Sequence, residues 1–488
     1  MKTFIEAMTQ KDTYTTNGAI TNSTSHNYCL DLFFLVGACR NESEQNIINL
    51  LTKAYQQDRS STLKIIFWAG DIRQGAGERR FFKLALSWLS DNHPTDIQNN
   101  LIWIPEFSRW DVIFELAMNN EILFSFILAN LLDVESKGHN LLCKWLPRKV
   151  YATDKKKVQQ DNKTIVTKKK RLLYGGIAKK IMQYTKWTPK QYRQVLVQGT
   201  NVVEQKMCAK QWNEINYAGV PSVALNKYNK AWYRNDAQRF TSYLQDVKQG
   251  KSKINASVIF PHDIIKDAIN NWYAEPLNEA QITQWNNLPN WLGDQVNSFI
   301  PVCDVSGSMN GLPLQISIAL GLYISERNQG PFKDAFFTFS QNPQLQVLKG
   351  DINQRIEQLK RADWGCNTDL VAVFRTILQK ALETQLFPEL MPKTILIISD
   401  MEFDNACELT NYEAIQYAYN NAGYICPQIV FWNVNGRVNN VPVTIHNTGA
   451  ALVSGASPCI IKAVLTNDLN PISIMNKIIQ SERYNLIH

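Results

Sequence analysis

The chain reads as a multidomain protein, an all-α helical array followed by an α/β domain on a mostly parallel sheet. Three observations predict this. Apolar residues recur at helical spacing from Tyr28 to about Asn270. After the Trp/Asn/Pro-rich stretch WNNLPNWLGDQ the pattern changes to short continuous apolar runs. Those runs then alternate with segments of helical period. At 488 residues the chain is also too long for one hydrophobic core.

The elements follow in order. Residues 1–27, with TYTTNGAITNSTSHN, are polar and aperiodic and are expected as a flexible polar arm or an irregular wrap. In residues 28–285, LDLFFLVGACR, EQNIINLLTKAYQQD, STLKIIFWAGDIR, RRFFKLALSWLSD, DVIFELAMNN and EILFSFILANLLD each read as one amphipathic helix. Helices stacked in pairs, as in a HEAT-like array, are the economical way to bury so many apolar stripes. DKKKVQQDNKTIVTKKKRLLYGG is a basic insertion at about 150–176, expected as a solvated loop between helices. Helical spacing then resumes, with Thr188 before Pro189 as an N-cap. Residues 290–488 form the α/β domain, in which FIPVCD, DAFFTFS, TILIISD and QIVFWNV are the strands.

Composition narrows the function class. No apolar run is long enough to cross a bilayer and MKTFIEAMTQKD lacks the apolar stretch of a secretory signal, so a cytoplasmic protein with no membrane partner is expected. The nine cysteines form no CxxC pair and no zinc spacing, and the six histidines are scattered. The net charge of +8 has one source: Lys144 to Lys253 carries 25 Lys or Arg against six Asp or Glu, so the rest is net acidic. Such an excess exceeds what solubility needs and points to a polyanion. The candidates are Lys144, Arg148, Lys149, Lys168, Lys169, Lys170 and Arg171, followed by Lys227, Lys230, Arg234, Arg239, Lys251 and Lys253. Tyr228, Trp232, Tyr233 and Phe240 lie among them and could stack on bases, but core packing is favoured for Trp232 and Phe240.

The α/β half carries the sharpest pattern. Asp304, Ser306 and Ser308 follow a strand as D-x-S-x-S, Thr368 with Asp369 precedes a helix, and Ser399 with Asp400 ends another strand. Ligands of open α/β sheets gather at the carboxyl ends of the strands. Carboxylates and hydroxyls together suit a hard cation, Mg²⁺ with Mn²⁺ or Ca²⁺ as alternatives. The local alternative is capping and loop satisfaction, and Asp369, Glu402 and Asp404 are expected to face solvent or support the site from behind. A two-metal nuclease using Asp304, Asp369, Asp400, Glu402 and Asp404 would need carboxylates where hydroxyls stand.

These five positions, Asp304, Ser306, Ser308, Thr368 and Asp400, resemble the metal-ion-dependent adhesion site of von Willebrand factor A domains. The resemblance implies a Rossmann-like fold and a non-catalytic site that docks an acidic residue of a partner protein. A helical array before such a domain resembles the Ro autoantigen (TROVE) architecture. The phrases KIIFWAGDIRQGAGERR, IPEFSRWD, VPSVALNKY, RFTSYLQDVKQGKSKIN and IISDMEFDNA are more similar still to domain-of-unknown-function family 2828 of viral and plant proteins. The Ro-type likeness implies RNA binding in a ribonucleoprotein; an assembly role in a virus, and hence a host-cytoplasm location, is the competing expectation. DIRQGAGERR lacks a preceding strand and a GK[ST] ending, so it is expected as a helix-to-helix turn at Gly75 and Gly77, and IPEFSRWD as a turn with Arg109 and Asp111 in structural contact.

Overall fold

A computed structural model describes residues 13–134, 138–148, 150–160, 163–173, 175–270, 275–293, 298–339, 343–361, 368–405, 410–465 and 469–488, with only the backbone path described across 150–173. Lys149 lies outside the described residues. The chain forms two compact units, one joining Met1–Phe82 to Asn216–His488 and the other spanning Lys83–Ile215. This cut differs from the boundary near 285–290 that periodicity suggested, because the first helices share a unit with the sheet.

The larger unit begins with β1 (Thr13–Tyr14) and β2 (Ile20–Thr21), an antiparallel pair. Of the flexible arm or irregular wrap expected for residues 1–27, residues 13–27 follow the wrap, while 1–12 lie outside the described residues. Asp31, pushed above the usual carboxylate range by burial, accepts from the Thr24 hydroxyl and the Ser25 N–H, tying the segment to the helix Tyr28–Val36. Asn27 caps that helix, Ser43 caps Glu44–Gln57 and Asp58 caps Arg59–Gly70, each accepting a first-turn N–H.

In the smaller unit β3 (Val150–Gln160) and β4 (Lys163–Leu173) pair antiparallel. The expected loop at 150–176 is therefore corrected to a ribbon. DVIFELAMNN is not one helix but two 3₁₀ pieces, Trp110–Val112 and Leu116–Met118, lying between the Arg109–Asp111 pair and the Asn120 cap. Arg109 donates twice to Asp111, at 3.1 and 2.7 Å, and its guanidinium lies 3.7 Å from the Trp145 ring centre, so this turn is structural as expected. Thr188 and Gln191 form a capping box behind Pro189.

The α/β portion of the larger unit holds β5 (Phe299–Cys303), β6 (Ala335–Thr338), β7 (Leu345–Val347), β8 (Thr394–Ser399), β9 (Gln428–Asn433) and β10 (Ala450–Ser454). Their order is β10-β9-β8-β5-β6-β7, parallel except for β7. β5, β6, β8 and β9 are the expected strands; β7 and β10 are additions. Chain order runs outward from β5 in both directions, so β5 and β8 flank the topological switch point. The helix Tyr28–Val36 lies against β10: the Ser454 hydroxyl donates to Phe33 O at 2.7 Å and accepts from Gly37 N at 3.1 Å. A Cβ on Gly37 would sit 2.5 Å from the Ser454–Gly455 backbone, so only glycine allows this approach.

The DIRQGAGERR segment is a turn, as expected, and it also locks the unit together. Asp71, fully buried, accepts from Arg483 Nε at 2.5 Å and Nη2 at 2.9 Å and from the Tyr484 hydroxyl at 2.9 Å. Glu78 is ion-paired with Arg40, which also donates to Val434 O at 3.0 Å. Trp232 and Phe240 are fully buried beside Tyr217, in the core role expected of them.

Candidate metal centre

Asp304 is the first residue beyond β5, and its N–H donates to Ile398 O at 2.9 Å, extending the ladder by one bond. That bond holds its side chain at the strand end between β5 and β8. Its carboxylate is fully buried; one oxygen accepts the Ser306 N–H at 2.9 Å and the other the Ser399 hydroxyl at 2.6 Å. The Ser306 and Ser308 hydroxyls are 3.1 Å apart, and Ser308 hydrogen-bonds the Asp400 carboxylate. Asp400, just beyond β8, is buried and also accepts the Glu402 N–H at 3.2 Å. Between them Met401 takes a left-handed φ of 66°, an uncommon conformation for a side chain of this kind, which reverses the chain at the site.

Thr368, just before the helix Leu370–Glu383, is one step removed from this group. Its hydroxyl lies 2.8 Å from Glu402 O and 3.0 Å from an Asp404 oxygen, and it accepts from Asn17 Nδ2 at 3.1 Å. Asp404 also accepts the Thr368 N–H at 2.8 Å. Asp304, Ser306, Ser308 and Asp400 are thus linked in one cluster, with Thr368 on the Asp404 carboxylate, which in turn acts on Asp304 electrostatically.

The remaining acids separate by role. Asp369 caps its helix through Ala372 N at 2.9 Å. Glu402 is buried rather than solvent-facing: it accepts from Thr16 N at 2.6 Å, Arg437 Nε at 2.8 Å and Asn440 Nδ2 at 3.1 Å. These bonds, with Thr15 donating to Phe403 O at 2.7 Å and Asn17 to Glu402 O at 2.7 Å, lay residues 15–17 along the site's rim. Asn17, Ser399 and Asp404 were not among the predicted ligands. The two-residue spacing of Asp400, Glu402 and Asp404 was the signal available for Asp404.

The electrostatics test whether a cation fits. Burial pushes Asp304 above the usual carboxylate range, against the hydrogen bonds from Ser399 and Ser306 that lower it. Asp400 is pushed up to about 6 by burial and then by Asp304. Among the described residues neither makes an ion pair with Lys, Arg or His. Buried like charges without a counter-charge are costly, and a divalent cation would relieve that cost. Among the described residues no three or more His, Cys, Asp or Glu side chains converge as a cage. The carboxylates linked here are Asp304 and Asp400, with the Ser306 and Ser308 hydroxyls beside them.

The basic candidates are dispersed. In the smaller unit Lys144 sits 3.6 Å from Glu204 and Arg148 donates to Thr200 at 3.2 Å, so both have structural partners; Lys168, Lys169, Lys170 and Arg171 lie on β4. In the larger unit Lys227, Lys230, Arg234, Lys251 and Lys253 are exposed, while Arg239 pairs with Asp236 at 2.9 Å.

Comparison with known proteins gives the family. Residues 15–172 and 132–295 match the family described as Domain of unknown function (DUF2828). The chain belongs to the DUF2828 family. The DUF2828 match spans the rim segment, the helices and the ribbon, whereas residues 298–482, from β5 onward, match Domain of unknown function (DUF7788). The strand-end cluster therefore sits in the DUF7788 portion, beneath residues 15–17 of the DUF2828 portion. A relative, "Uncharacterized protein L728" of Acanthamoeba polyphaga mimivirus, is 27% identical over 523 residues, covering 96% of this chain and 87% of its own length. Among the described residues no helix is long and apolar enough to cross a membrane.

Proposed function

We propose that this protein is a non-catalytic docking protein whose strand-end cluster holds a divalent cation, Mg²⁺ first, and offers it to a carboxylate of a partner protein. Asp304 and Asp400 would hold the ion, with Ser306, Ser308 and Thr368 as neutral donors. The ion supplies a positive charge with an open position. The observation that carries this reading is a pair of buried carboxylates at the ends of adjacent strands, bonded among the described residues to hydroxyls and backbone N–H groups rather than to a cationic side chain. The strand order and the switch-point position favour the von Willebrand factor A likeness. Hydroxyls at Ser306, Ser308 and Thr368, and the capping duty of Asp369, speak against a two-metal nuclease. Mg²⁺ is expected to raise the melting temperature of the wild type and leave that of Asp304→Ala unchanged, with identical circular dichroism. Cleavage of labelled RNA with Mg²⁺ or Mn²⁺, lost in Asp304→Ala, would replace docking by catalysis.

A second reading, RNA binding in a Ro-like ribonucleoprotein, rests on the basic excess between Lys144 and Lys253. Phosphate contacts release counterions, so such binding weakens steeply with salt. Binding of a structured RNA that persists unchanged at high salt would remove this reading. An assembly role in a virus remains the alternative use of the same docking site, and the mimivirus relative is in keeping with it.

A further inference from the structure

The ribbon β3–β4 is a sheet of its own, with no third strand among the described residues. A lone hairpin is marginal in water. Its register sets Lys155 opposite Lys168, Lys157 opposite Val166 and Thr153 opposite Lys170. Opposed residues share a face and alternate residues along a strand return to it. One face therefore carries Lys155, Lys157, Lys168 and Lys170 without a carboxylate. The other carries Lys156, Lys163, Lys169 and Arg171 with Asp154 alone. Like charges set directly opposite one another destabilise a ribbon that is already marginal. From Val150 to Leu173 the sequence has eight Lys or Arg against two Asp, so the register contains too little negative charge to offset them.

We propose that this ribbon is a two-faced grip on the phosphate backbone of a double-stranded RNA stem. The proposal rests on the RNA reading above and names the ribbon as its contact element. Two basic faces fit a partner that presents phosphates on both sides; a flat anionic bilayer would satisfy one face only. Lysine is depleted at protein–protein interfaces but binds phosphate well as a point charge, which favours nucleic acid over an acidic protein. In A-form RNA the two phosphate rows flank a narrow major groove and so face each other more closely than across the wide major groove of B-form DNA. Strands of eleven residues, roughly 35 Å long, reach across that groove mouth.

The test uses the full chain with Lys155, Lys157, Lys168 and Lys170 all changed to Gln, and a companion with the same four changed to Arg. Fluorescence anisotropy is read against a blunt RNA duplex, a DNA duplex of equal length and phosphatidylserine vesicles, over a salt series. The Gln variant is expected to bind RNA at least tenfold more weakly, with a salt slope lower by about 3, while the Arg variant keeps wild-type binding. RNA binding unchanged in the Gln variant overturns the ribbon assignment alone. A loss confined to vesicles, or tighter ribbon-dependent binding of DNA than of RNA, overturns the choice of partner. Absence of RNA binding by the wild type removes the RNA reading itself.

Discussion

Two sets of buried carboxylates in the larger unit meet opposite fates. Asp71 and Glu78, in the turn after the helix Arg59–Gly70, each face an arginine of the same chain, Arg483 and Arg40. Asp304 and Asp400, at the ends of β5 and β8, face hydroxyls and backbone N–H groups. Burial alone therefore does not mark a functional acid. We propose that the mark is a buried acid whose counter-charge the fold does not supply.

Removing a paired acid should cost most. Asp71→Ala strands the Arg483 guanidinium and the Tyr484 hydroxyl, and a loss of about 3–5 kcal/mol in urea unfolding is expected; a loss below about 1 kcal/mol would erase the contrast. Removing an unpaired acid should act in the other direction. In chelator, Asp400→Asn relieves repulsion on Asp304 and is expected to stabilise by about 1 kcal/mol. Destabilisation by a similar amount would mean that the cluster is structural.

Glu78 lies between these extremes, because burial outweighs Arg40 and pushes it up to about 7. The unfolded chain releases this proton near the ordinary 4.5, whereas the folded chain keeps it to about 7. This group's contribution to stability is therefore full below 4.5 and is lost as pH rises toward 7. Glu78→Gln should flatten that part of the slope in urea midpoints measured across the window; an unaltered profile would assign the pH dependence elsewhere. The smallest effect is expected from Asn17→Ala, about 0.5 kcal/mol, from the bonds to Thr368 and Glu402. Faster hydrogen exchange at Thr368 in that variant would place the rim segment in the site's support.

The sheet centre and the acid pair were legible because they rest on local rules. Short continuous apolar runs alternating with segments of helical period fit buried strands between helices, and a carboxylate just past such a run lies at the ligand-binding edge. The rim was not legible. Thr16 meets Glu402 across 386 positions through single hydrogen bonds, which leave no periodicity in a polar segment. β7 escaped because LQV is a three-residue edge strand with exposed Leu345 and Val347. The helix Tyr28–Val36 was readable as a helix, but its seat on β10 depends on the bare Cα of Gly37. The basic insertion read as a loop because lysine runs obscure strand alternation, and only cross-strand pairing reveals the ribbon.

We propose that the Asp304–Asp400 pair lacks a charge which a divalent cation would provide. Titration calorimetry of Mg²⁺ into cation-stripped protein tests it most directly, with Asp400→Asn alongside. Saturable binding at one site in the wild type, lost in Asp400→Asn while the fold is kept, is the predicted result. Equal heats from both proteins, or none from either, would contradict the account.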